Sequence, residues 1–136
     1  MMENFFKLKN LHLLISVLVV IPVAFTYGLF PGEMSPILFD FEVQTTDLKN
    51  VFRAIMGLYL AFVAFWILGI LNEKFWTAAT IANLLFMTGL AFGRFISFII
   101  DGLPSLVFVF GTFGELVLGI FSAFNLVKYS KAKSSI

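Results

Sequence analysis

The chain has 136 residues, 60% of them hydrophobic and only 12% charged, with a mean hydropathy of +1.01 and a net charge of +1. A soluble domain carries about 25% charged residues, so the composition excludes one and makes lipid the expected solvent, while near-neutrality excludes a nucleic-acid face. With no cysteine and a single histidine, His12, disulfides, thiolate sites and a histidine-based metal centre are excluded too, and no metal or cofactor is expected.

The first apolar run, Leu11–Phe30, follows a short start carrying Lys7 and Lys9 and is interrupted only by Ser16, Pro22, Thr26 and Gly28. About 20 apolar residues span a bilayer, whereas a signal-peptide core is about 7–15 residues with a small-residue cleavage site after it. The expectation is an uncleaved span, bent where Pro22 removes a backbone donor. Residues 31–50 form the longest connection, acidic and proline-containing, with the apolar stretch Ile37–Val43 expected along the interface and Thr46 and Asp47 as N-cap candidates for the next helix.

The second span is predicted over about Leu48–Leu71 and the third over about Phe75–Ile100, joined by Asn72, Glu73 and Lys74 alone. So short a link makes them antiparallel neighbours. The turn Asp101-Gly102-Leu103-Pro104 precedes a fourth span from Ser105 to about Val127 and a basic tail. The predicted fold class is therefore all-α, a four-helix integral membrane bundle forming one transmembrane domain over the whole chain. Lys7, Lys9, Lys74, Lys128, Lys131 and Lys133 fall on one side and most acids on the other, which predicts both termini in the cytoplasm. Trp66 and Trp76 read as interface anchors and His12 as an interfacial residue.

Inside the last three spans stand Arg53, Arg94 and Glu115. A charge at a helix centre costs roughly 2.5–3.5 kcal/mol on the insertion scale, so such residues are paired or functional. At ~1.5 Å per residue, Arg94 lies about 10 Å from the Asp101 turn and Glu115 about 15 Å from it. On a helical wheel Asn83, Met87, Leu90, Arg94, Ser97 and Asp101 share a stripe, and Glu115 shares one with Gly111, Gly119, Ser122 and Ala123. Arg53 shares another with Gly57, Ala61 and Ala64, and Gly89-x-x-x-Gly93 is a close-packing pattern; these small-residue stripes are expected to be internal seams.

The expectation is thus a neutral cluster of Arg53, Arg94, Asp101 and Glu115 in the outward half, with Ser97 and Tyr59 or Tyr27 nearby. Asn83 is a deeper candidate contact, or an interhelical hydrogen bond. Three meanings of the cluster stay open: Arg94–Glu115 and Arg53–Asp101 pairs that lock helix register, a binding or transport site, or a different placement in which one arginine only snorkels to the headgroups. No nucleotide loop, metalloprotease motif or Ser-His-Asp arrangement is present, so an enzyme is the least favoured class.

The strings N-V-F-R-A-I-M-G-L-Y-L (Asn50–Leu60), G-R-F-I-S-F-I-I-D-G-L-P-S (Gly93–Ser105) and G-E-L (Gly114–Leu116) resemble, as a set, an uncharacterised bacterial family of four-helix membrane proteins, domain of unknown function 4345. The resemblance covers most of the chain. It implies that Arg53, Gly57, Tyr59, Gly93, Arg94, Asp101, Gly102, Pro104 and Glu115 are recurrent family positions, and, through a likeness in outline to DoxX-like proteins, an accessory role beside membrane enzymes or cargo. The expected function is a non-enzymatic inner-membrane protein, either binding a lipid headgroup or quinone or serving as a subunit of a membrane complex or homo-oligomer. The alternative is a small proton-coupled transporter using Glu115.

Overall fold

A computed structural model describes residues 7–130, and these are helical almost throughout, with no strand among them. After a 3-10 turn, Leu8–Asn10, the elements are α1 (Leu11–Gly28), a short α2 (Pro31–Leu38), α3 (Thr46–Leu71), α4 (Glu73–Ile100) and α5 (Leu106–Ser130). Lys131 and Lys133, and the termini whose side of the membrane the sequence predicts, lie outside the described residues. The four long helices are each apolar and long enough to cross a bilayer. The chain is a multi-pass membrane protein, all-α, with the four spans gathered in a bundle.

Helix ends follow local chemistry. Thr45, rather than Thr46 or Asp47, caps α3: its Oγ1 accepts from Leu48 N at 3.2 Å because its extended backbone turns the side chain back over the first turn. Asn72 closes α3 and caps α4 in one residue, accepting from Lys74 N at 3.0 Å. The α4–α5 turn needs Gly102, whose φ of +93° is outside the range side chains favour. Helix α1 runs through Pro22, where the carbonyl accepts Thr26 Oγ1 at 2.9 Å.

Helices α1 and α3 pack along their length, as do α4 and α5, with α3 against α4 between them, and α1 meets α5 over far less surface. The end with Lys9, Glu73 and Lys128 is termed the lysine end and the other the Asp101 end. Gly69 sits where α1, α3 and α4 converge, against Ala79 and Leu13, and a Cβ on Gly119 would meet Thr88 Cγ2 at 2.8 Å, so both glycines set close helix approaches. The outer face of α5 shows Leu106, Phe110, Phe113, Val117, Ile120 and Phe124 at three- and four-residue spacing, all exposed. In water such a face would drive aggregation; against acyl chains it is matched.

Several placements differ from the sequence expectation. The stripe Arg53, Gly57, Ala61, Ala64 faces outward, and Gly89 and Gly93 also lie exposed with nothing near their Cβ positions. The face of α3 turned inward is Tyr59, Val63, Trp66 and Ile70. Trp66 and Trp76 are packed inside rather than anchoring an interface, and within 37–43 Phe39 and Val43 are buried while Ile37 is exposed. Large side chains fill more of the inner volume than small ones can, so Tyr59, Val63 and Trp66, and not Gly57, Ala61 and Ala64, face the core along α3.

Candidate functional site

Near the Asp101 end, Arg94 of α4 and Glu115 of α5 form an ion pair, Nη2 to Oε1 at 3.1 Å, with 19% and 12% of their side chains accessible. The register that joins them follows from the Gly119 contact with Thr88, which brings α4 and α5 close below the pair. The Arg94 guanidinium lies over Phe108, 5.1 Å from the ring centroid, a cation–π contact. Tyr27 of α1 and Tyr59 of α3 lie within electrostatic range of Arg94, so each long helix contributes a polar side chain. Arg94 Nε and Glu115 Oε2 are buried atoms without a hydrogen-bonding partner among the described residues, as is Ser105 Oγ.

A sheath of rings surrounds the pair. Phe39, in the segment after α2, stacks on Tyr27 (centroids 5.5 Å apart, planes 15° apart) and on Phe108 (4.9 Å, 22°). It thereby fills the gap between α1 and α5 where those helices make little contact of their own. Tyr59 meets Tyr27 edge-on at 6.0 Å and Phe86 at 5.0 Å. Ser35 fixes the segment from below, accepting from Val43 N at 3.2 Å. Chemically, the arrangement is a donor–acceptor pair enclosed by aromatic rings, with one further donor and one further acceptor of the pair buried among them.

The other predicted members are placed elsewhere. Arg53 is exposed on α3, and the expected Arg53–Asp101 ion pair is not formed; Asp101, also exposed, accepts from Ser97 Oγ at 2.8 Å within its own helix end. The cause is the rotation of α3, whose aromatic face turns inward and carries Arg53 outward. Asn83 is fully buried but belongs to a different polar group toward the lysine end.

Of that second group only the interhelical hydrogen bonding of Asn83 was expected. His12, expected at the interface, is wholly buried: Nδ1 accepts from Asn125 Nδ2 at 2.9 Å, leaving Nε2–H to donate to Thr80 Oγ1 at 3.2 Å, whose own hydrogen goes to Trp76 O at 2.8 Å. One turn deeper, the Asn83 amide lies 3.3 Å from Ser16 Oγ and 2.7 Å from Ser122 Oγ. Each serine has one hydrogen and its own i−4 carbonyl at 2.8 Å, so we assign the Asn83 NH₂ as donor to both hydroxyls. The signal in the sequence was a polar pair at i and i+3 or i+4 on each of three helices: His12 and Ser16, Thr80 and Asn83, Ser122 and Asn125. Above it, Lys9 bridges Glu73 at 2.6 Å beside a cavity of about 20 Å³ bordered by Gly69 and Trp76, room for about one water. This cavity is at the opposite end from Arg94 and plays no part in the site. No group of three or more metal-ligating side chains occurs among the described residues.

The model of one family, described as a domain of unknown function (DUF4345), matches residues 8–126, most of the chain. The chain belongs to the DUF4345 family. The matched region takes in α1 to most of α5, so the Arg94–Glu115 pair and the buried polar layer both lie within the DUF4345 domain. No curated protein and no solved structure matches the chain.

Proposed function

We propose that this DUF4345 protein is a non-enzymatic binding or accessory component of a bacterial inner membrane. It forms one transmembrane domain with both termini cytoplasmic, and the Arg94–Glu115 site lies in the periplasmic half. Its site takes the polar head of a lipid or quinone-class molecule, with Arg94 and Glu115 as the contacting groups and Tyr27 and Tyr59 as walls. The bacterial setting and the accessory role rest on the family resemblance and on a likeness in outline to DoxX-like proteins; the binding role rests on the site itself. The observation that carries it is an ion pair inside a bundle in which one donor and one acceptor of the pair, Arg94 Nε and Glu115 Oε2, are buried without partners among the described residues. A pair serving only to fix register would gain stability from closing those bonds internally.

The experiment is gentle solubilisation of the native membrane, followed by mass spectrometry of the lipids and subunits that copurify. The proposal expects a retained amphiphile or subunit that is depleted when Glu115→Gln is isolated in the same way at equal yield. An identical set of copurifying molecules in both preparations reduces the pair to a register lock.

A further inference from the structure

We propose that the ligand of the Arg94–Glu115 site presents a hydroxyl, rather than an anionic phosphate or an acceptor-only carbonyl. The inference rests on the binding role proposed above and names the chemistry of its ligand. Three observations lead to it. First, the site is already neutral: the guanidinium has its carboxylate at 3.1 Å. A phosphate entering there would compete with Glu115 for Arg94 and set two anions side by side, a repulsion with little solvent to screen it.

Second, within the pair itself one buried donor and one buried acceptor have no partner among the described residues. Arg94 Nε–H is a donor and Glu115 Oε2 an acceptor, both buried and both on groups already in contact. A ketone or ester carbonyl satisfies only the donor. A hydroxyl satisfies both, its oxygen accepting from Nε–H and its hydrogen going to Oε2; a vicinal diol does so with two oxygens. Third, the surroundings suit an amphiphile over a free polyol. The walls are Tyr27, Phe39, Tyr59 and Phe108, and the faces beyond are exposed apolar helix.

Entry follows from the packing. Phe39 is the ring that occupies the gap between α1 and α5, and it belongs to a non-helical segment, so its withdrawal would open a lateral path to the pair without moving a span. Phe39→Ala is therefore expected to speed association while leaving the polar atoms in place.

The test uses the full chain in phosphatidylcholine nanodiscs, with unfolding temperature and equilibrium binding measured against four probes. These are dioleoylglycerol, the same molecule acetylated at its hydroxyl, dioleoyl phosphatidate, and glycerol. The expected result is that dioleoylglycerol binds and raises the unfolding temperature, and that the acetylated form is about tenfold or more weaker, the loss associated with one hydrogen bond to a charged group. Arg94→Lys, which keeps the charge but has no Nε–H, should bring the two closer to equal affinity. Phosphatidate or the acetyl ester binding as well as dioleoylglycerol overturns the hydroxyl while leaving the binding role intact. Glycerol matching dioleoylglycerol overturns the membrane-borne source. Binding of none of the four overturns the hydroxyl inference; if the copurification experiment also finds no depletion, the binding role falls with it.

Discussion

Arg94 and Glu115 are each tolerable only because of the other. Replacing Glu115 with Ala leaves a guanidinium inside the bundle facing Phe108 and two tyrosines, and removal of one partner from a buried pair costs about 3–5 kcal/mol. Reversible unfolding in mixed micelles should show a loss of that order. Arg53→Leu makes the useful contrast: Arg53 is exposed, so the change is expected to stay within about 0.5 kcal/mol in the same measurement. In the second polar layer a double-mutant cycle between His12→Ala and Asn125→Ala should return a coupling near the average of about 0.6 kcal/mol for hydrogen bonds between membrane helices. A coupling indistinguishable from zero would contradict the 2.9 Å contact. At this scale the sequence exposed the cost of the intramembrane charges. It could not pair them, because pairing depends on helix rotation, and a helical wheel gives angles within a helix and no angle between helices.

Between helices, the useful distinction is which glycines touch something. Gly119 abuts Thr88 and Gly69 abuts Ala79, whereas Gly57 and Gly89 face open space. Leucine at 119 or 69 should therefore force α4 away from its neighbour at a cost of about 1–3 kcal/mol, and leucine at 57 or 89 should not. Thermal unfolding of the four variants checks this, and equal sensitivity at all four positions would mean that the exposed stripes are buried in an assembly. The small-residue rule picked these stripes out as seams, and two of them face outward. Small residues permit close approach on whichever side a helix meets another; they do not say which side is inward. In α3 the decision fell to Tyr59, Val63 and Trp66, whose bulk fills the interior, and Arg53 was carried outward with the opposite face. The segment after α2 matters for a single ring: Phe39 fills the gap between α1 and α5, a role that no local pattern in residues 31–45 announces.

For the molecule as a whole, the topology proposed from the lysines is open to direct measurement because the chain has no cysteine background. A cysteine introduced at Lys74 should react with an impermeant maleimide only in inside-out vesicles, and cysteines at Glu33 and Asp101 only in intact cells. All three positions are exposed, so the reagent has access if the side is right. Labelling of Asp101 and Lys74 from the same side would break the alternation of spans on which the proposed periplasmic placement of the site depends. Helix α4, at 28 residues, is about 42 Å long by the standard rise, more than the roughly 30 Å hydrocarbon core, so it projects or tilts.

The number of spans, their order, their antiparallel pairing and the membrane as solvent were determined by the sequence alone. Hydrophobicity over about 20 residues and the length of a connection are local quantities, and the physics of the bilayer leaves helices as the way to close every backbone bond in such segments. Only the tertiary structure decided which charges meet, that His12 lies in a buried layer rather than at the interface, and that Phe39 packs between α1 and α5. Those outcomes depend on the rotation and axial register of helices that are distant in sequence. Side-chain volume and close approach at a few positions such as Gly69, Gly119 and Trp66 set that rotation, and it becomes visible only once the helices are packed together.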